Sequence, residues 1–208
     1  MTHPGFFDRI PTITLKDPLA QLLGSAQDGL IEYSYAEAVK LTGHSCPTVA
    51  GAWLMTTQAL QRLYGEAIPT RGGIAVFFRN EAAEGVTGVI ASVVGFITGA
   101  AADTGFKGIR GRFARCGLMH FGQAVEGDIR FQRLDTGDQV TVSFNASAVP
   151  PATGLMPRLF AAMDANASPE QQAAFADIWQ DRVRRIFENS DHPELITCVG
   201  STTLHNNH

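Results

Sequence analysis

At 208 residues, with 45% hydrophobic and 17% charged side chains, the chain can bury a large core without covalent staples. A net charge of -4 and the lack of any long lysine or arginine run argue against a nucleic-acid-binding surface as its main business. Cys46, Cys116 and Cys198 cannot all pair within one chain, and the opening stretch has no basic region ahead of a long apolar run. Reduced thiols or metal ligands in the cytoplasm are therefore expected. The uncharged stretch 85–99 is too short to span a membrane.

In chain order, residues 11–16 alternate as a short strand, and residues 18–23 suit a short helix ahead of an Asp28-Gly29 turn. Ser34 and Glu37 fit a capping box for a helix that runs to about Leu41 and stops at Gly43. A long helix follows from Pro47 to Tyr64, with Val49, Trp53, Leu54, Leu60 and Leu63 on its apolar face and Gly65 at its end. The apolar run 74–78 reads as a central strand, 85–98 as a buried helix and 113–121 as extended. Residues 128–134 and 139–144 alternate around Asp135-Thr136-Gly137-Asp138, a β-hairpin with a polar outer face. Residues 155–165 and 169–189 read as helices, Ser168 capping the second, and 195–199 as an edge strand. A frayed tail is expected from Leu204 to His208.

His44 and Cys46 lie two apart in a glycine-preceded turn that feeds a helix N-terminus. An imidazole and a thiolate at this spacing can converge on a borderline ion such as zinc, the remaining ligands coming from elsewhere or from water. Alternatively, the helix end stabilises a Cys46 thiolate and His44 takes its proton, making Cys46 a nucleophile. A third reading has Cys46 as a small buried filler and His44 as a cap on a carbonyl. Glu84, with Glu81 beside it, could add a carboxylate ligand, although its ordinary role is to complement a helix N-terminus. Cys116 and His120 share one face of an extended segment but stand roughly 13 Å apart there, too far to share an ion. Cys198 reads as core, and His205 and His208 as tail. The glycine-studded stretch 99–108 lacks the Lys-Ser/Thr ending of a phosphate loop and reads as a sheet-packing turn.

The turn Thr42-Gly43-His44-Ser45-Cys46-Pro47, with Gly51 following on the helix, resembles the signature of the formylmethanofuran dehydrogenase E-subunit-like family. The order of elements is similar as well: strand 74–78, a helix ending in Thr98-Gly99, and a hairpin turned by Thr136-Gly137, so the resemblance covers about residues 30–145. It implies an α+β domain over 1–150, with a mixed, largely antiparallel sheet and helices on one face, similar to the C-terminal domain of glyceraldehyde-3-phosphate dehydrogenase. Residues 151–208 would then be a C-terminal helical extension packed on that domain. The resemblance also implies metal ligation by His44 and Cys46 and a place beside molybdenum or tungsten oxidoreductases. The chain departs from the family pattern at Thr42, where a second histidine is common, and at Ala100, where a cysteine often stands. The cysteine and aspartate expected early in the second helix fall near Val89 and Ser92, and helices replace the zinc ribbon of some members.

The expected function is a metal-binding accessory or binding protein holding zinc or another divalent transition metal. It would assist a redox enzyme or bind a small pterin-like or one-carbon ligand. One alternative is a small enzyme using Cys46 as nucleophile or a zinc-bound water, with Tyr33, Tyr35 and Glu84 near the site. Another is a structural partner subunit without a site. A sheet covered on one side suggests a homodimer through the hairpin or the last helix. Neither nucleic acid nor membrane is an expected partner.

Overall fold

The computed structural model describes residues 3–201. The lead-in forms β1 (Ile13–Lys16), the short α1 (Pro18–Leu22) and β2 (Leu30–Tyr33), with the two strands paired antiparallel. Asp28 and Gly29 both take positive φ, 54° and 72°, and turn the chain back for that pairing. Strand β2 has no clean alternation in its residues Leu30-Ile31-Glu32-Tyr33; its partner β1 makes it a strand.

The capping box forms at α2 (Tyr35–Thr42), with the Glu37 carboxylate accepting from the Ser34 amide at 2.8 Å, and Gly43 ends the helix at φ 75°. Next, α3 (Pro47–Tyr64) buries Val49, Trp53, Leu54 and Leu60, as their spacing predicts, and Leu63 packs against that core in part. The chain continues through β3 (Ile74–Phe78), α4 (Thr87–Thr98), β4 (Met119–His120), β5 (Ile129–Arg133) and β6 (Gln139–Phe144). It closes with α5 (Leu155–Met163), α6 (Pro169–Glu188) and β7 (Ile196–Ser201). Ser168 caps α6 in a second capping box.

The expected extended segment 113–121 is strand only at Met119–His120. Phe113 has φ 63°, and the amides of Arg115 and Cys116 both fold back onto the Phe106 carbonyl, so the chain there is a loop.

The main sheet has the order β4-β3-β5-β6-β7, parallel only between β3 and β4, which makes the protein α+β with a mixed, largely antiparallel sheet. Its inner residues Ile74, Val76, Phe78, Ile129, Phe131, Val140 and Val142 are buried. The row Phe77, Arg130, Thr141 and Val199 runs across the other face, where Val199 is largely exposed. Helix α3 packs on β6 and β7 and carries α2, α4 and α6 around it. Gly51 permits the close approach to β6, because a side chain there would strike the Phe144 ring. The last strand joins the same sheet as the hairpin, so the C-terminal helices and the sheet share one core.

Candidate functional site

The turn between α2 and α3 is built by three local devices. Gly43 releases the chain from α2 in the left-handed region, and Pro47 opens α3 where a missing amide hydrogen is no loss. Cys46 is the N-cap: its sulfur accepts from the Val49 amide at 3.5 Å, one of the donors left unpaired at a helix start.

Ser45, between the two candidate ligands, is held by side chains from distant elements. Its hydroxyl donates to Gln180 Oε1 at 3.0 Å, so the Tyr35 hydroxyl, 2.9 Å away, is the donor to Ser45 Oγ. The Ser45 carbonyl accepts from Trp179 Nε1 at 2.9 Å and Gln180 Nε2 at 3.1 Å. Helix α6 thus clamps the turn. Burial pushes the Tyr35 hydroxyl well above the usual tyrosine range, so it stays protonated and serves as a donor rather than a base. Ser45→Ala is expected to cost about 1–3 kcal/mol in urea denaturation, because it strands the Tyr35 hydroxyl and one Gln180 acceptor. An unchanged midpoint would show that the clamp does not hold the turn.

The His44 side chain is exposed, with Nδ1 2.9 Å from the Thr42 carbonyl. A carbonyl only accepts, so Nδ1 carries a hydrogen, and of the two neutral tautomers this selects the one with its lone pair on Nε2. Cys46 is 8% exposed. Both features of the filler-and-cap reading are therefore present. The same carbonyl bond is also the arrangement that orients metal-ligating histidines.

Among the described residues, no group of three or more His, Cys, Asp and Glu is gathered to hold an ion. With no third donor gathered, the turn offers an ion at most two protein donors, His44 and the 8% exposed Cys46. Glu84 does not complete a three-donor group with them; it is exposed, and its carboxylate accepts from the Glu81 amide at 3.3 Å. Tyr35 does stand at the turn. Tyr33 packs edge-on against Phe96, with the Arg71 guanidinium 5.8 Å from its ring centre. His120 stacks on Phe77, while Cys116 sits in the loop. Cys198 is half-buried, its thiol pushed up by burial, with its sulfur 3.7 Å from Gln58 Oε1. His205 and His208 lie outside the described residues. The stretch 99–108 holds a packing glycine, Gly105, whose replacement would strike the Cys116 backbone.

Sequence reasoning missed a buried ion cluster. The Asp17 side chain, 5% exposed, caps α1 through the amides of Leu19 and Ala20 and binds Arg71 at 3.0 Å and Arg115 at 2.7 Å. The Pro18 that follows Asp17 signals the cap, but nothing local signals the arginines. The Ser45 clamp was missed for the same reason: its partners lie 134 and 135 residues on.

No family model matches the chain, and no curated protein does. Among solved structures it is similar to a tungsten formylmethanofuran dehydrogenase E-subunit (FmdE)-like protein from Syntrophus aciditrophicus. The TM-score is 0.41 at 14% identity, with 85% of this chain and 78% of that one covered, a likeness too low to transfer ligand or partner.

Proposed function

We propose that this chain is a metal-binding accessory or binding protein, taking zinc or another divalent transition ion through His44 and Cys46. The observation that carries the reading is the His44 Nδ1 to Thr42 carbonyl bond, which turns the Nε2 edge of an exposed ring outward two residues from the buried Cys46. The resemblance of that turn to the E-subunit-like signature supports it too. The remaining positions are filled by water or by donors from a second molecule, Glu84 being a candidate only after rearrangement. In this reading the protein works in the cytoplasm, as a homodimer or beside a molybdenum or tungsten redox enzyme or a one-carbon ligand. Among the described residues, no helix is long and apolar enough to cross a membrane.

Elemental analysis by mass spectrometry of the untagged full chain, after zinc loading and desalting, tests this. About one ion per chain is expected, lost in Cys46→Ser and in His44→Ala. Background metal in the unaltered chain would sink the proposal.

A second reading, Cys46 as nucleophile, is favoured by the Val49 amide on its sulfur at the start of an 18-residue helix. Iodoacetamide labelling of metal-free protein separates the two. Faster alkylation than a free cysteine, slowed in His44→Ala, would support the nucleophile. Protection by 8% exposure would remove it.

A further inference from the structure

A cavity of about 550 Å³ lies away from the turn, where the lead-in arches over the middle of α3 and the end of α6. Its size falls in the range of small-molecule sites. Phe6, Ile13, Leu54 and Phe187 give it apolar walls. Phe187 is itself held edge-on against Tyr35, with ring centres 4.6 Å apart. The cavity adjoins the clamp through Tyr35 but is not lined by Ser45, Trp179 or Gln180.

Two carboxamides, Gln58 and Gln61, line the cavity one turn apart on α3. Gln58 is fixed: its Nε2 donates to the Ser190 carbonyl at 3.0 Å, which leaves one N–H, and its Oε1 meets Cys198 Sγ and keeps a lone pair. Gln61 is exposed, and its side chain has no hydrogen-bond partner among the described residues. Each amide thus offers both a donor and an acceptor. The charged lining balances, with Arg9 and Arg184 against Glu188 and Asp191, and Arg184 is already tied to Glu188 at 2.6 Å. A lining with no net charge does not select an ion.

We propose that this cavity binds an uncharged, flat heteroaromatic molecule whose edge carries adjacent donor and acceptor atoms, as a lactam or amidine does. The ring lies between the apolar walls, and its edge pairs with Gln58 and Gln61. The proposed ligand requires no metal at the turn.

The probe is 2-aminopurine, followed by its own fluorescence on the full chain, with hypoxanthine as competitor and indole as a ring lacking the paired edge. Thr57→Phe fills the cavity; the Thr57 hydroxyl bonds only within α3, to the Trp53 and Leu54 carbonyls, so no tie between elements is lost. Gln61→Leu removes the amide at an exposed position that does not threaten folding. The expected result is saturable binding displaced by hypoxanthine, weakened about fivefold in Gln61→Leu and more than about tenfold in Thr57→Phe. No saturable binding, or binding unchanged in both variants, would overturn the site. Indole binding as tightly as 2-aminopurine, with no effect of Gln61→Leu, would overturn the ligand class. Thermal melting of each variant confirms folding, and Gln61→Leu alone carries the test if Thr57→Phe unfolds.

Discussion

Asp17→Asn is expected to lower folding stability by about 3–5 kcal/mol, because it leaves the Arg71 and Arg115 guanidiniums without their shared counter-charge. Asparagine caps a helix as well as aspartate does, so the loss reports the charge and not the α1 cap. The cluster joins four parts of the chain: the β1–α1 junction, the loop at Arg71, the end of α4 through the Phe96 carbonyl, and the loop at Arg115. Its loss should loosen all of them together. Urea denaturation measures the effect, and a change under about 1 kcal/mol would show that the cluster is dispensable.

The same carboxylate sets a pH dependence. Burial pushes its affinity for a proton up, but the Ala20 amide, Arg71, Arg115 and the Leu19 amide together outweigh burial and hold it below the usual aspartate range. A carboxyl depressed in the folded state contributes stability that is present above its unfolded pKa, about 3.9, and is lost as pH falls through the folded value. Burial also pulls Arg115 downward, with Asp17 opposing it, yet a guanidinium stays charged at any working pH. The difference between the unaltered chain and Asp17→Asn should therefore be flat from about pH 5 to 8 and shrink below about pH 4. A difference that grew in acid would contradict this sign.

Trp53→Ala is the second large effect expected, about 3–5 kcal/mol. Trp53 is 1% exposed on the helix that carries the sheet on one side and three helices on the other, and it meets the Tyr35 ring edge-on at 6.1 Å. Truncation removes apolar burial and leaves a void that the surrounding elements cannot all close. In a chain of this size the melting temperature should fall by roughly 6–20 °C. Trp53→Phe should recover much of it. Because Tyr35 holds Ser45, the void should also loosen the turn, read as faster alkylation of Cys46 in Trp53→Ala than in Trp53→Phe. Equal rates would show that turn and core are not coupled.

Much of the architecture follows from short-range signals. Ser34 and Glu37 are three apart, Pro47 directly follows its cap, and Gly43 and Gly65 stand where α2 and α3 end. The hairpin strands alternate about a Thr136-Gly137 turn. Each signal acts within a few residues, so each leaves its trace in the order of the amino acids. The candidate ligands His44 and Cys46 are legible in the same way, because the chemistry of an imidazole and a thiol in one turn is local.

The sequence by itself therefore determined the α+β class, most helices, the hairpin and the turn that carries His44 and Cys46. Only the tertiary structure decided that β2 is a strand, that 113–121 is mostly loop, and that Asp17 holds arginines 54 and 98 residues away. It also decided that Trp179 and Gln180 clamp Ser45, and that Gln58 and Gln61 share a cavity with the lead-in. The physical reason is common to all of these. Hydrogen bonds, ion pairs and cavities between remote segments impose no spacing on the chain, so they exist only once α3 has gathered the segments around it.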